Sequence, residues 1–198
     1  VSKNPSAIYI HGGGNFNDLW NIGIQCYRSA CRYFDCPIII GPQSVQFDST
    51  DIRNVFESCG NQTYFFCREK QSYNLIHHIT KELENLDTYI EDDTAFYLRN
   101  EDLSDEKNKD LSDNENNYTL LSFRSDQESC RPTIERVLDP PIRVQDISKS
   151  AESLYDFVTI ARNAKRIHTD RLHVAILGTI LGKNISFYDN SYHKNRGV

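Results

Sequence analysis

SAIYIHGGGNFNDLW, residues 6–20, is the stretch that decides how the rest of the chain reads. SAIYI is a short apolar run of β-formers that ends in three consecutive glycines. From Asp18 to Tyr33 a helical pattern follows, with Leu19, Ile22, Cys26, Ala30 and Tyr33 on one side. A strand passing through glycines into a helix opens a βα unit. Glycine lets the backbone bend sharply and approach a ligand closely, and a helix start adds partial positive charge. Gly12, Gly13, Gly14 and Asn15 are therefore expected to cradle an anion. The competing reading is a plain tight turn. The G-x-G-x-x-G spacing is not met, since Phe16 and Asn17 stand where a third glycine would fall.

Outward from this stretch the alternation continues. PIIIG (37–41), TYFFC (63–67) and LDTYI (86–90) read as buried strands, with helical patterns over Thr50 to Cys59 and residues 69–79. Residues 99–117 then hold seven acids against three bases, as a solvated linker or loop would. Beyond it come the strand YTLLSF (118–123), a helix from Ala151 to Ala164, the strand RIH, a helix from Arg171 to Leu181 and the strand ISFY (185–188). Short apolar strands separated by helices predict parallel sheets with helices on their faces, hence an α/β fold. The expected divisions are an N-terminal lobe over 1–98, the acidic linker 99–117 and a C-terminal lobe over 118–198.

The chain has 198 residues and a net charge of −6, most of it in the linker, so neither nucleic acid nor an anionic membrane is an expected partner. No apolar stretch reaches the length of a membrane span and no signal peptide opens the chain. Methionine is absent even at position 1, so a processed or partial chain is expected. The six cysteines form no C-x-x-C pair and are read as reduced, packed thiols. The N-x-S/T matches at Asn61, Asn117 and Asn184 are read as chance, the last because it opens an apolar run expected to be buried. No ligand cluster asks for a metal.

A second polar concentration is HTDRLHVAILG, residues 168–178. The strand RIH runs out at His168, Thr169 or Asp170 can cap the next helix, and Arg171 and His173 fall in its first turn. A cation at a helix N-terminus is unfavourable by a few tenths of a kcal/mol unless an anion sits beside it. A bound carboxylate or phosphate would supply that anion. The other reading is an ion pair from Arg171 to Asp170 or the linker, with His173 as a core histidine.

HGGGNFNDLW, then PIIIGPQSVQF, FFCREKQS, HTDRLHVAILGTILGK and YDNSYHKNRGV, taken in order, resemble the polysaccharide pyruvyl transferases. The resemblance runs through nearly the whole chain and is weakest across 99–160. It implies two Rossmann-like lobes of GT-B-like arrangement with a cleft between them, the first without the segment that family members carry before the glycine motif. It also implies transfer of the enolpyruvyl unit of phosphoenolpyruvate onto two sugar hydroxyls, giving a pyruvate ketal and phosphate. The resemblance implies phosphoenolpyruvate as the donor substrate with no cofactor, and the cytoplasm as the compartment, or the secretory-pathway lumen for a eukaryotic chain with a trimmed anchor. Where the family has G-G-G-N-F-G-D, this chain has Asn17 for the last glycine, a residue that tolerates positive φ.

On this resemblance Arg171, His173 and Asp170 are the expected catalytic group, Arg171 as a bidentate anion contact and His173 as general acid. Gly12, Gly13, Gly14, Asn15, Arg124, Asn190 and Lys194 are expected to hold the donor, with Arg124 alternatively a surface partner of Asp126. Asp18, Gln43, Ser44 and His168 are expected at the acceptor, Gln43 and Ser44 following the end of the strand PIIIG. Arg68 and Glu69 match the family's R-[DE]-x-x-S block and are read as structural, while Asp92 and Asp93 are read as a base or as helix caps. Two other readings stand beside this one: a nucleotide-sugar glycosyltransferase of the same architecture, and a catalytically silent glycan-binding relative.

Overall fold

A computed structural model describes residues 5–103, 118–126, 129 and 141–189. It separates into two compact units, one ending at Thr94 and the other beginning at Ala95. Each is α/β with an all-parallel sheet. Asn190, Lys194, Cys130, Asn117 and most of the acidic segment lie outside the described residues.

In the first unit β3 (Ile38–Gln46) is the organising strand. Its Ile38–Ile40 portion pairs with β1 (Ile8–Ile10) on one side and β4 (Thr63–Cys67) on the other. Farther along, Gln43 pairs with Gly13 of β2 (Gly13–Asn17) on one side and Cys67 on the other. Thus β1 and β2 run end to end along the same side of β3, as one strand broken at His11–Gly12. β5 (Leu86–Ile90) closes the far edge. The helices are α1 (Ile22–Tyr33), α2 (Ile52–Glu57) and α3 (Lys70–Thr80).

The break in β1–β2 has a cause on β3. Pro42 lacks an N–H, and the β3–β4 ladder shifts register between Ile40 and Gln43. Gly12 lies against this bulge so closely that a Cβ there would meet the Pro42 carbonyl oxygen at 2.4 Å. Gly13, next to it, has φ +133°, which a side chain resists. The glycines therefore serve strand–strand approach, and the expected direct glycine-to-helix turn is corrected. The strand resumes for five residues and the helix starts at Ile22 instead of Asp18. Asn17 is also corrected: among the described residues only Gly13 and Gly182 have positive φ.

Phe16, inside the glycine motif, anchors the core at 0% exposure. Its ring sits 5.2 Å from Phe65 edge-on and 6.1 Å from Phe56, with Tyr27 and Phe47 completing an aromatic cluster. A ring buried this way contributes about 3–5 kcal/mol against alanine. A further correction concerns cysteine: Cys31 of α1 and Cys59, just past α2, are joined as a disulfide. Their helices carry them to adjacent places that sequence spacing does not reveal. Asn61 turns inward and gives its amide N–H groups to the carbonyls of Phe34 and Cys36. The run opened by Asn184, expected to be buried, is only half-buried at Ile185 and Ser186, with Asn184 and Phe187 exposed.

The second unit is built on β6 (Tyr118–Ser122), flanked by β7 (Ile142–Val144) and β8 (Ala164–Thr169), with β9 (Asn184–Phe187) outside β8. After β7 come the short α4 (Ile147–Ser150) and α5 (Leu154–Asn163), and α6 (Leu172–Ile180) links β8 to β9. The spatial order β7-β6-β8-β9 means the chain leaves β6 to one side and returns on the other. This creates a topological switch point beside the carboxyl ends of β6 and β8, where open parallel sheets take ligands. Leu120, Ile147, Ala161, Ile167 and Val174 form the core beneath it.

Candidate functional site

One cluster of expected residues stands at strand carboxyl ends, in the second unit. In the second unit, Arg124 follows β6 and Arg171 follows β8, so both guanidinium groups border the switch point. Arg171 takes the N-cap position of α6 in an extended conformation, one residue before the helical turn expected for it. The Thr169 hydroxyl accepts its amide at 3.0 Å and donates to the Ser122 carbonyl at 2.6 Å, tying β8 to β6. Neither Thr169 nor Asp170 caps the helix, which corrects that expectation.

The anion beside Arg171 is supplied by the protein. Nε and Nη2 of Arg171 donate to the two carboxylate oxygens of Asp146 at 2.6 Å each. Arg124 makes the same two-pronged contact with Asp126 at 2.8 and 2.9 Å. Arg171 also stands 3.7 Å from Asp126, which couples the two pairs, and Lys149 donates to Ser125 alongside. The side chains of both arginines are only 12% exposed, where such paired contacts fix a guanidinium in place. Neither expected partner of Arg171, Asp170 or the linker, is the one observed. Asp146 was missed because it lies 25 positions upstream of Arg171 and carries no motif.

Asp170 accepts the Arg124 backbone amide at 2.7 Å, so it shapes the loop that carries the other guanidinium. Burial pushes its carboxyl above the ordinary value, against the lowering effects of that amide and of the Arg124 and Arg171 charges. His168 is buried at the end of β8, with Nδ1 2.9 Å from the Tyr188 hydroxyl. Its Nε2 has no hydrogen-bond partner among the described residues. Burial first, and then the Arg166 charge, lowers its pKa and favours the neutral ring. His173, expected as a general acid or a core histidine, is exposed in the first turn of α6.

In the first unit the structure separates residues that the sequence had grouped. Gln43 and Ser44 lie inside β3, which continues to Gln46, and both are fully buried. Gln43 donates through Nε2 to the His11 carbonyl at 2.9 Å, while its Oε1 has no partner among the described residues. It pairs in register with Gly13, and the space a Cβ of Gly13 would enter has no atom within 4 Å. Ser44 is corrected as an acceptor contact. Its hydroxyl donates to Glu69 at 2.8 Å and accepts from Arg68 Nε at 2.7 Å. Arg68 in turn pairs with buried Asp93 at 2.7 Å, and Glu69 caps α3 through the Ser72 amide. The Arg68–Glu69 block is thus structural, and Asp93 is the buried ion partner of Arg68, directly before the short helix Thr94–Tyr97.

Asp18 is also bound to the protein itself. It accepts the amides of Asp48 and Ser49 at 2.7 Å and of Thr50 at 3.2 Å. Desolvation pulls its pKa upward, but hydrogen bonds from Thr50, Ser49 and Asp48 outweigh that and hold it at about 2. Gly14 gives its carbonyl to Asn17, and Asn15 is exposed. Among the described residues no helix is long and apolar enough to cross a membrane.

A solved structure of a functionally uncharacterized protein from Klebsiella pneumoniae subsp. pneumoniae is similar, with a TM-score of 0.69 and 26% identity. The alignment covers 100% of this chain and 72% of that one. No curated protein gives a significant match. The model of the family described as polysaccharide pyruvyl transferase matches residues 2–192. With nearly the whole sequence matched, in line with the ordered motifs from the glycine segment to HTDRLH, the chain belongs to the polysaccharide pyruvyl transferase family.

Proposed function

We propose that this protein transfers the enolpyruvyl group of phosphoenolpyruvate to a hydroxyl pair on a sugar of a polysaccharide, in a GT-B-like architecture whose lobes are the two units. The observation that carries the reading is the pair of guanidinium groups at the β6/β8 switch point, Arg124 and Arg171, each held by its own carboxylate. Phosphoenolpyruvate carries a phosphate and a carboxylate on the same carbon, C2, and two preset arginines suit that charge distribution. The Asp146 contact uses Nε and Nη2 of Arg171, so an incoming anion meets the remaining edge of the five-donor fork.

In the reaction, C3 of the donor gains a proton, one sugar oxygen bonds to C2, the C2–O bond to phosphate breaks, and the second sugar oxygen bonds to C2. Of the two hydroxyl protons lost, the equivalent of one ends on the new methyl group and of the other on phosphate. His173, on the first turn of α6 beside the arginine position, is assigned as the proton donor to C3. Asp170 is assigned to positioning Arg124 through its backbone amide.

The test is incubation of the protein with phosphoenolpyruvate and a galactoside, following phosphate release and product mass. Acceptor-dependent phosphate with a ketal product is expected. Turnover only with a nucleotide-sugar, or none with either donor while glycan still binds, overturns the assignment.

A further inference from the structure

We propose that Trp20, flanked by Leu19 and Ile22, is a stacking platform for a neutral pyranose ring of the polysaccharide acceptor, a subsite for the polymer apart from the reacting hydroxyl pair. It rests on the reading above that the acceptor is a glycan.

The three side chains are 39%, 53% and 56% exposed, a run of apolar surface at the entrance to α1. Exposed apolar groups are ordinary on a frayed loop, but this loop is tied down. The Trp20 amide donates to Asn17 Oδ1 at 2.7 Å, and Asn17 Nδ2 donates to the Gly14 carbonyl at 2.7 Å. Asp18, between them, takes three amides from residues 48–50. Backbone freedom has been surrendered to hold an indole partly outward, although the core nearby takes Ile24 and Tyr27 from the same helix.

The surroundings narrow the occupant. Asp18 is the only charged residue between Gly12 and Tyr27, and its carboxylate is engaged by backbone amides. The exposed polar residues of that span include the amides Asn15, Asn21 and Gln25. An indole in a span whose exposed polar residues are uncharged amides, two of them already bonded to each other, suits a sugar, whose C–H face lies on the ring while its hydroxyls bond polar neighbours. A phospholipid surface would call for lysine or arginine, and the span has neither.

Trp20 is the only tryptophan in the chain, so its emission reports on this place alone. The full chain would be titrated with galacto-oligosaccharides from mono- to pentasaccharide, without phosphoenolpyruvate. Saturable change in emission and shielding from acrylamide are expected, with affinity rising with chain length. By calorimetry Trp20→Ala should weaken the pentasaccharide roughly fivefold to tenfold, while Trp20→Phe keeps most of the affinity.

Absence of saturable change with both the galacto-series and a cello-oligosaccharide series overturns the proposal, as does equal affinity in Trp20→Ala. Concentration-dependent shielding without sugar, together with dimers in sedimentation, would give the patch to a second copy and overturn it as well. Because no donor is present, failure of pyruvyl transfer cannot imitate any of these results, and sugar binding without transfer would count against the reaction alone.

Discussion

Replacing Arg171 by methionine should unfold the second unit more readily, and the loss should be partly repaired by a second substitution. In the native protein its guanidinium reaches both oxygens of Asp146 at 2.6 Å, with side chains 12% and 10% exposed. With charge centres about 4 Å apart and an effective dielectric of about 20, the attraction is about 4 kcal/mol. Removing one member strands the other, which costs about 3–5 kcal/mol. Asp126 stays paired with Arg124, so the lower end, about 3 kcal/mol, is expected for Arg171→Met. Asp146→Leu should lose a similar amount by stranding the arginine. The double variant leaves neither charge uncompensated and should lose about 2–3 kcal/mol less than the sum. Urea unfolding followed by far-UV circular dichroism measures this, since the sole tryptophan lies in the other unit and its emission does not follow the site. If the double variant loses the simple sum to within about 0.5 kcal/mol, the ion pair is not what holds this strand end together. Arg171→Lys keeps the charge without the fork and should weaken phosphoenolpyruvate binding more than it weakens the fold.

Gly12→Ala should lose at least about 2 kcal/mol or fail to fold, because its Cβ would meet backbone atoms of Pro42 at 2.4 and 2.9 Å, whereas Gly60→Ala, with nothing within 4 Å, should be near neutral. Thermal unfolding of the two variants separates these outcomes. Reducing the Cys31–Cys59 disulfide, which spans a sequence separation of 28, should lower stability by up to about 3.5 kcal/mol on the loop-entropy account. Urea midpoints with and without reductant should move together with those of Cys31→Ala/Cys59→Ala, and coincident midpoints in wild type would show that the bond contributes nothing. The Asp18 carboxylate, held at about 2 against an ordinary 3.8, stabilises the fold above pH 4, and that contribution fades as pH falls toward 2. Asp18→Asn should flatten that acid limb of the stability profile, and an unchanged limb would refute the assignment.

What could be read from sequence divides along physical lines. Apolar strands such as LDTYI and YTLLS were legible because burial on both faces of a parallel sheet selects a continuous apolar run. β2 was not, since GGNFN has no strand propensity and is a strand only through pairing with β3. β3 was read short because Pro42 looks like a terminator, while the fold tolerates it as a bulge. The disulfide was hidden because Cys31 and Cys59 approach through the packing of two helices. At the site, Arg124 and Arg171 were legible from their places at strand ends, whereas Asp146 was not, because its selection is by shape and charge across the sheet.

The same division runs inside the glycine motif. Gly12 is consumed by the approach to Pro42, Phe16 by the aromatic core, Asn17 by its loop and Asp18 by the 48–50 amides. A position consumed in this way is constrained by folding whatever the protein binds, so its presence in a family signature says little about ligands. Asn15 and Trp20 differ, since both stand exposed on backbone that their neighbours hold still. In the C-terminal unit the arginines combine both conditions, fixed by carboxylates yet set at the switch point of the sheet. Rigid support combined with an outward or ligand-facing group is the arrangement that binding requires, because a preset group loses little freedom when the ligand arrives. By that criterion the proposed ligand contacts fall at Trp20, Arg124 and Arg171, groups whose neighbours hold them in place.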